Sequence, residues 1–450
     1  MKSDSRLVLR TSLPLILAQL AFALNGFVTT YFRSRHSSTA LHASLPGSLL
    51  AIAIFSFFNL MLGYAGTVFA QSDGGGNRKS ALYAFIQSFW LALLACPLLF
   101  LGIPLARFIL SFFAVTPEVL ASEMRYFVIL LPNSALTILA TVLGGYFTGR
   151  GETKFVGGVT ILGFFVNMIG SAIFIPRATG GGLFGAALAQ TLGHLVPCLI
   201  LAVAIIRRHE FARLGVSIRP NLRAHETLEV LRLGFPNGIR VFFEIGVYFA
   251  FTAFIAELDS SEVGVSTFLL AVNGVVYSMV QGLGAGVEIL VGRAYGARNR
   301  AQIISISRFA FILTLLACGI YALTLIVGQQ PLTRLATRSA PDTARAVAVV
   351  APLLLILMVK APVETLSQLL QSILRGLGRT PAVLFSTTIS ALVVWLPVYL
   401  AVKFLCPTMT NYWWTMLLSC VISFLLLGFS LWRALRVVEK TMPKEGLNMV

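Results

Sequence analysis

Lys360 and Glu364 stand one helical turn apart in an apolar run from 346 to 373, with Pro362 between them. Ionisable side chains at that depth cost roughly 2.5–3.5 kcal/mol each on membrane-insertion scales, so they face a bundle interior or a wet cavity and mark a pathway. A carboxylate placed there can take up and release a proton or another small cation. An ammonium four residues away shares its helix face and neutralises part of its charge. Arg240 and Glu244 repeat the spacing in the apolar run 233–256. Both pairs suit ion or substrate coupling, and both also suit the simpler role of holding helices together. Pro362 frees a carbonyl and bends its helix, which makes it a candidate hinge. Pro14, in the first apolar run, is a second one. Asn25 and Gln190 are polar residues in other apolar runs, suited either to line a cavity or to bridge helices.

Other polar residues carry less. Glu288 lies close to Arg293, which suggests a local ion pair, and His194 reads as a packing residue with its hydrogen bonds met inside the bundle. Cys96, Cys198, Cys318, Cys406 and Cys420 are scattered singly without metal-ligand spacing and read as small hydrophobes. The glycine-rich stretches Ser72-Asp-Gly-Gly-Gly-Asn77 and Gly296-Ala-Arg-Asn299 read as tight turns whose glycines supply positive φ. They are not nucleotide loops, since no strand precedes them and no Lys-Ser/Thr follows the last glycine.

The elements that must position these residues follow from composition. With 57% hydrophobic and 11% charged residues and a mean hydropathy of +0.86, the chain is an all-α polytopic membrane protein. Runs long enough to cross a ~30 Å hydrocarbon core number about twelve. They lie near 11–32, 46–70, 81–105, 125–148, 155–175, 182–206, 233–256, 263–290, 305–328, 346–373, 382–404 and 412–434. The first is too long for a signal peptide's core and reads as a retained anchor. Lys and Arg concentrate in the segments that share a side with the N-terminus, which predicts both termini in the cytoplasm. The net charge of +17 is spread over short loops rather than gathered in one basic domain, so nucleic acid is not an expected partner.

An internal repeat organises the runs. One constant offset relates Pro14 to Pro236, Gly74 to Gly296 and Asn77-Arg78 to Asn299-Arg300, and a slightly longer one relates Gly149-Arg-Gly-Glu-Thr153 to Gly376-Leu-Gly-Arg-Thr380. The chain therefore reads as two parallel six-helix repeats with a cavity between them. The expected organisation is an N-terminal lobe over 1–206, a solvated cytoplasmic connector over 207–229 and a C-terminal lobe over 230–450.

An ordered set of motifs then resembles a known family. Ser12-Leu-Pro14 with Gln19, Gly26-Phe-Val-Thr-Thr30, Leu143 through Thr153 followed by Asn167, Leu233-Gly-Phe-Pro236 with Glu244, and Gln371 through Thr380 are similar to the multidrug and toxic compound extrusion (MATE) transporters, from about residue 8 to 430. The resemblance implies two lobes in a V and export of organic solutes in exchange for protons or sodium ions. It implies no enzyme activity and no cofactor beyond the coupling ion. Glu244 and Glu364 stand where NorM-type and eukaryotic members have an acidic pair. With Lys360, in a position often aromatic in NorM-type members, they form the expected cation-coupling site. Thr29 replaces the acidic residue of the family's Gly-Phe-Val-Asp pattern, and Ser171 replaces the second asparagine after Asn167. Gln19, Asn25, Thr29, Asn167, Gln190 and Arg240 are the expected cavity residues.

The expected function is secondary export of amphipathic, aromatic or cationic compounds from an inner or plasma membrane by a monomer in the lipid bilayer. Lys360 favours protons over sodium, because its ammonium both repels a metal cation and occupies the carboxylate. A lipid-linked oligosaccharide flippase of the same superfamily and a non-transporting membrane scaffold are the alternatives.

Overall fold

The computed structural model describes residues 2–34, 45–111, 117–176, 183–219, 224–255, 257–337 and 342–442, and their regular structure is entirely helical. The first part of the chain forms α1 (Lys2–Ser34), α2 (Leu45–Gly63), α3 (Ala65–Gly74), α4 (Arg78–Phe100), α5 (Gly102–Ser111), α6 (Pro117–Gly149), α7 (Thr153–Phe174), α8 (Leu183–Arg207) and the short α9 (Glu210–Arg213). The rest forms α10 (Ala224–Ile255), α11 (Ser260–Gly296), α12 (Arg300–Val327), α13 (Gln329–Thr337), α14 (Thr343–Gly376), α15 (Thr380–Thr388), α16 (Leu396–Leu405) and α17 (Met409–Thr441).

Eleven helical stretches among the described residues are long and apolar enough to cross a membrane, and they coincide with every expected run but the seventh. That run lies, as far as Ile255, in α10, a continuous helix of 32 residues that carries Arg240 and Glu244. The second run is divided between α2 and α3 at Tyr64. The eleventh is continuous but widens into π-helix over Ile389–Trp395, between α15 and α16. Pro397, at the start of α16, has no N–H to close an α-turn onto Val393, and the wider turns accommodate it.

The repeat seen in the sequence is a repeat of helix starts. Asn77 accepts a hydrogen bond from the Ser80 N–H at 3.2 Å and caps α4, and Asn299 does the same for α12 through the Gln302 N–H at 2.9 Å. Asn299→Ala is expected to lower stability by about 1 kcal/mol, the usual worth of an N-cap, read from the melting of the purified protein. The turns depart from expectation at one point. Gly76, Gly151 and Gly378 have φ of 78°, 83° and 73°, but in the turn before Asn299 the left-handed residue is Arg298, at φ 54°, and not Gly296.

The helices gather into two compact units. One comprises Leu13–Phe242 with Gly292–Arg298, and the other Met1–Ser12, Phe243–Val291 and Asn299–Val450. In the first, Tyr146 stands at the centre of an aromatic cluster, with ring centroids 5.0 Å from Phe147, 5.3 Å from Phe85 and 5.6 Å from Phe69. In the second, Tyr399 stacks on Trp395 at 4.5 Å and leans on Tyr412 at 4.7 Å, while Trp413 donates its indole N–H to Ser266 at 2.9 Å.

The connector is not a free solvated segment where it is described. Phe211 and Val216 are buried in the aromatic core of the first unit, and Trp90 donates to the Ile218 carbonyl at 3.0 Å. Glu210 accepts from Arg78 Nε at 2.7 Å and also bonds Arg150 and the Tyr146 hydroxyl. Two apolar anchors and a carboxylate set among three donors hold the backbone down. The part around Pro220 lies outside the described residues.

Arg208, beside Glu210, donates to Glu152 Oε1 at 2.7 Å, and this bond holds the Glu152 carboxyl below its ordinary value of 4.5. A carboxyl lowered in the folded state stabilises fully above its unfolded value, and the contribution is lost as pH falls through the folded value. The melting difference between the wild type and Arg208→Gln is therefore expected to be present at neutral pH and to shrink as the pH falls below 4.5. A difference that stays constant on acidification would remove this assignment.

Candidate functional site

The charged centre lies on α14, which carries Pro352 and Pro362 within the helix. Lys360 is 1% exposed and its ammonium donates to Glu364 Oε2 at 2.8 Å, the one-turn geometry that the sequence spacing requires. Asn273 on α11 donates its amide N–H to the same oxygen, also at 2.8 Å. Tyr321 on α12 brings a buried hydroxyl, with no hydrogen-bond partner among the described residues, into electrostatic range of Glu364. Tyr248 on α10 and Cys420 on α17 stand in the same relation to Lys360. Next to the pair, Thr365 bonds the Ala361 and Pro362 carbonyls at 2.9 and 3.0 Å and lies 3.0 Å from Cys318 Sγ. Its hydroxyl thus bonds backbone acceptors in the turn that contains Pro362.

The polar face continues along the helix. Gln368 accepts from the Tyr277 hydroxyl at 3.4 Å, and Arg375 donates through Nε to Glu288 Oε2 at 2.8 Å and through Nη2 to Ser372 Oγ at 3.0 Å. Residues 360, 364, 368, 372 and 375 follow one another at three or four positions, so they form one stripe. At 1.5 Å per residue that stripe runs about 22 Å, most of a hydrocarbon core. Asn273, Tyr277 and Glu288 face it from α11. The two helices meet closely at the far end, where a Cβ on Gly376 would stand 2.8 Å from the Glu288 carbonyl oxygen.

The expected residues are distributed unevenly. Lys360 and Glu364 come together as expected, while Glu244, half-buried on α10, lies within electrostatic range of Arg375. Arg240 is buried on α10. Asn167 is buried on α7, accepts from Ser171 Oγ at 3.1 Å and packs against Gly193 of α8. Gln190 is half-buried on α8, and its carbonyl lies 3.0 Å from His194 Nδ1, which leaves His194 a packing residue with a backbone partner. Gln19 and Asn25 are half-buried on α1, and no hydrogen bond among the described residues joins Gln19, Asn25, Asn167 and Gln190 to one another. The side chain of Thr29 lies outside the described residues. Pro14 sits inside α1, with its carbonyl facing Gly157.

One pairing expected from the sequence is corrected. Glu288 pairs with Arg375 and not with Arg293, which instead donates to the Arg150 carbonyl at 3.2 Å and lies 3.8 Å from Asp73 Oδ2. Five residues on one helix turn through about 500°, which points Glu288 and Arg293 away from each other. The absence of a basic residue three or four positions from Glu288 was the signal for a partner on another helix. Asn273 was missed as well, although an amide within the run 263–290 carries the same argument as Lys360.

The model of the MatE family matches residues 14–173 and 236–400, most of the chain and both of its halves. The chain belongs to the MatE family. Its members are membrane transporters and not enzymes, and they require no cofactor. A relative named probable multidrug resistance protein NorM, from Halalkalibacterium halodurans, is 22% identical over 349 residues, 75% of each chain. Multidrug and toxin extrusion protein 1 of Oryctolagus cuniculus is 28% identical over 440 residues, 94% of this MatE chain and 73% of its own length. Among solved structures, a MATE in complex with MaL6 superposes with a TM-score of 0.84 at 18% identity, covering 97% of this chain and 98% of that one. A MOP superfamily transporter from Pyrococcus furiosus gives 0.84 at 17%, covering 97% of both. This MatE chain therefore has the MATE fold.

Proposed function

We propose that this MatE chain exports amphipathic organic compounds, chiefly cationic ones, in exchange for an entering cation, with protons favoured over sodium. Its two six-helix lobes, 1–206 and 230–450, alternate access around a central cavity and are joined by the connector 207–229. The protein acts as a monomer in an inner or plasma membrane with both termini in the cytoplasm. The substrate class rests on the relatives named as multidrug resistance and toxin extrusion proteins. It also rests on apolar helices that carry a few carboxylates, which suit amphipathic cations.

The observation that carries the coupling is the Lys360 ammonium 2.8 Å from Glu364, on the side chain of a residue 1% exposed. An ammonium already stands where a sodium ion would sit, and sodium needs several oxygen ligands there, whereas a proton needs only one carboxylate oxygen. The pair is joined in one lobe arrangement and parted in the other, with bending at Pro362 making the difference and Asn273 holding the carboxylate between the two. Driving energy is ample, at about 2.3 kcal/mol per charge per 100 mV and about 1.4 kcal/mol per tenfold gradient.

Reconstitution in liposomes tests the reading. Efflux of a cationic dye is expected to follow a pH gradient at fixed sodium, and matched neutral and anionic solutes should compete weakly. Efflux that follows only a sodium gradient would remove proton coupling. Failure of both gradients to move any organic solute would remove the exporter itself.

A further inference from the structure

The last turns of α17 present one exposed stripe, Leu425, Phe429, Trp432, Arg433, Arg436 and Lys440, at helical spacings of three and four. Along it the chemistry changes from apolar to aromatic to basic. The Arg436 guanidinium lies 3.8 Å over the Trp432 ring, and that of Arg433 lies 5.4 Å over Phe429. The 33 residues of α17 extend for about 50 Å, roughly 20 Å more than a hydrocarbon core, so an end of the helix stands among lipid headgroups. Aromatic rings followed by basic residues are what such an interface selects.

At that place α17 and the start of α12 border a half-open pocket of about 200 Å³, lined by Arg300, Ile304, Trp432, Arg436 and Glu439 among others. Arg300 is held by Glu439 at 2.5 Å. Arg436 stands over the Trp432 ring and donates no hydrogen bond among the described residues, so its N–H groups remain available. Two guanidinia against one carboxylate leave the cavity positive, and Arg433 and Lys440 on the same stripe add to it. The exposed apolar track of Trp432, Phe429 at 55% and Leu425 at 61% leads away from the cavity along α17. A free anion would use the guanidinia and leave that track bare, whereas a lipid uses both.

We propose that this cavity binds the phosphodiester headgroup of an anionic phospholipid of the adjoining leaflet. The phosphate lies between Arg300 and Arg436, and an acyl chain follows Trp432, Phe429 and Leu425. Basic residues beside a membrane attract anionic lipid with an energy of the order that makes two of them worth tenfold or more in affinity.

The experiment is a lipid titration of the delipidated full-length protein in detergent, followed by native mass spectrometry, with phosphatidylglycerol, phosphatidylcholine and inorganic phosphate as probes. The wild type is expected to bind phosphatidylglycerol at least about tenfold more tightly than phosphatidylcholine. Inorganic phosphate at millimolar concentration should not displace it. R300Q/R436Q should lose the preference, and R436Q alone, which leaves the Arg300–Glu439 pair in place, should weaken it. R107Q/R334Q, which removes two exposed arginines elsewhere, should keep it. Equal affinity for the two lipids, survival of the preference in R300Q/R436Q, or displacement by inorganic phosphate would each overturn the proposal.

Discussion

Glu364→Gln abolishes gradient-driven transport, while Thr29→Val leaves most of it. The amide keeps the shape of the carboxyl and still offers an oxygen to Lys360 and Asn273, both of which donate to Glu364 at 2.8 Å. It cannot take up a proton, so a cycle that runs through this group stops. The substitution also removes the counter-charge of an ammonium that is 1% exposed. Breaking a buried pair from one side typically costs about 3–5 kcal/mol, so the variant should also melt earlier. Lys360→Met with Glu364→Gln removes both charges and is expected to recover much of that stability without recovering transport. That combination separates loss of coupling from loss of folding. Efflux of a dye from vesicles with imposed gradients, read beside the melting temperature, makes the comparison. Transport that survives Glu364→Gln and fails in Thr29→Val would move the coupling site to the other lobe.

The second large effect is on stability. Arg375→Met removes the guanidinium that Glu288 faces at 2.8 Å, in a place where the two side chains are only 9% and 13% exposed. A carboxylate left with that little solvent costs about 3–5 kcal/mol, far more than the truncation of a surface arginine. Glu288→Gln with Arg375→Met should be much less destabilised than Arg375→Met alone, with a coupling between the two of about 1 kcal/mol or more in a double-mutant cycle. Unfolding of the detergent-solubilised protein measures all of the corners. A loss below about 1 kcal/mol in Arg375→Met would show that the pair is hydrated and contributes as little as a surface bridge.

Much of this was legible in the residues alone because its physics is local. The length and apolarity of the runs place the helices, and even the seventh run, with its two charges, is a continuous helix as far as Ile255. The repeat located Asn77 and Asn299, whose caps depend only on the three residues that follow them. Lys360 and Glu364 meet because 3.6 residues per turn brings positions four apart onto one face, whatever surrounds them. The same geometry excludes a pair five apart, and Glu288 with Arg293 was misread for want of that step.

What the tertiary structure decided is which faces look at each other. Nothing within α14 says that Glu364 will meet Asn273, or that Arg375 will meet Glu288, 87 positions away in the chain. Nothing in an arginine-rich connector says that Phe211 will be buried and Glu210 gripped by Arg78 and Arg150. Each of these contacts depends on the rotation of one helix about its axis relative to another. That rotation is set by the packing of many side chains at once and leaves no periodic signature in either segment.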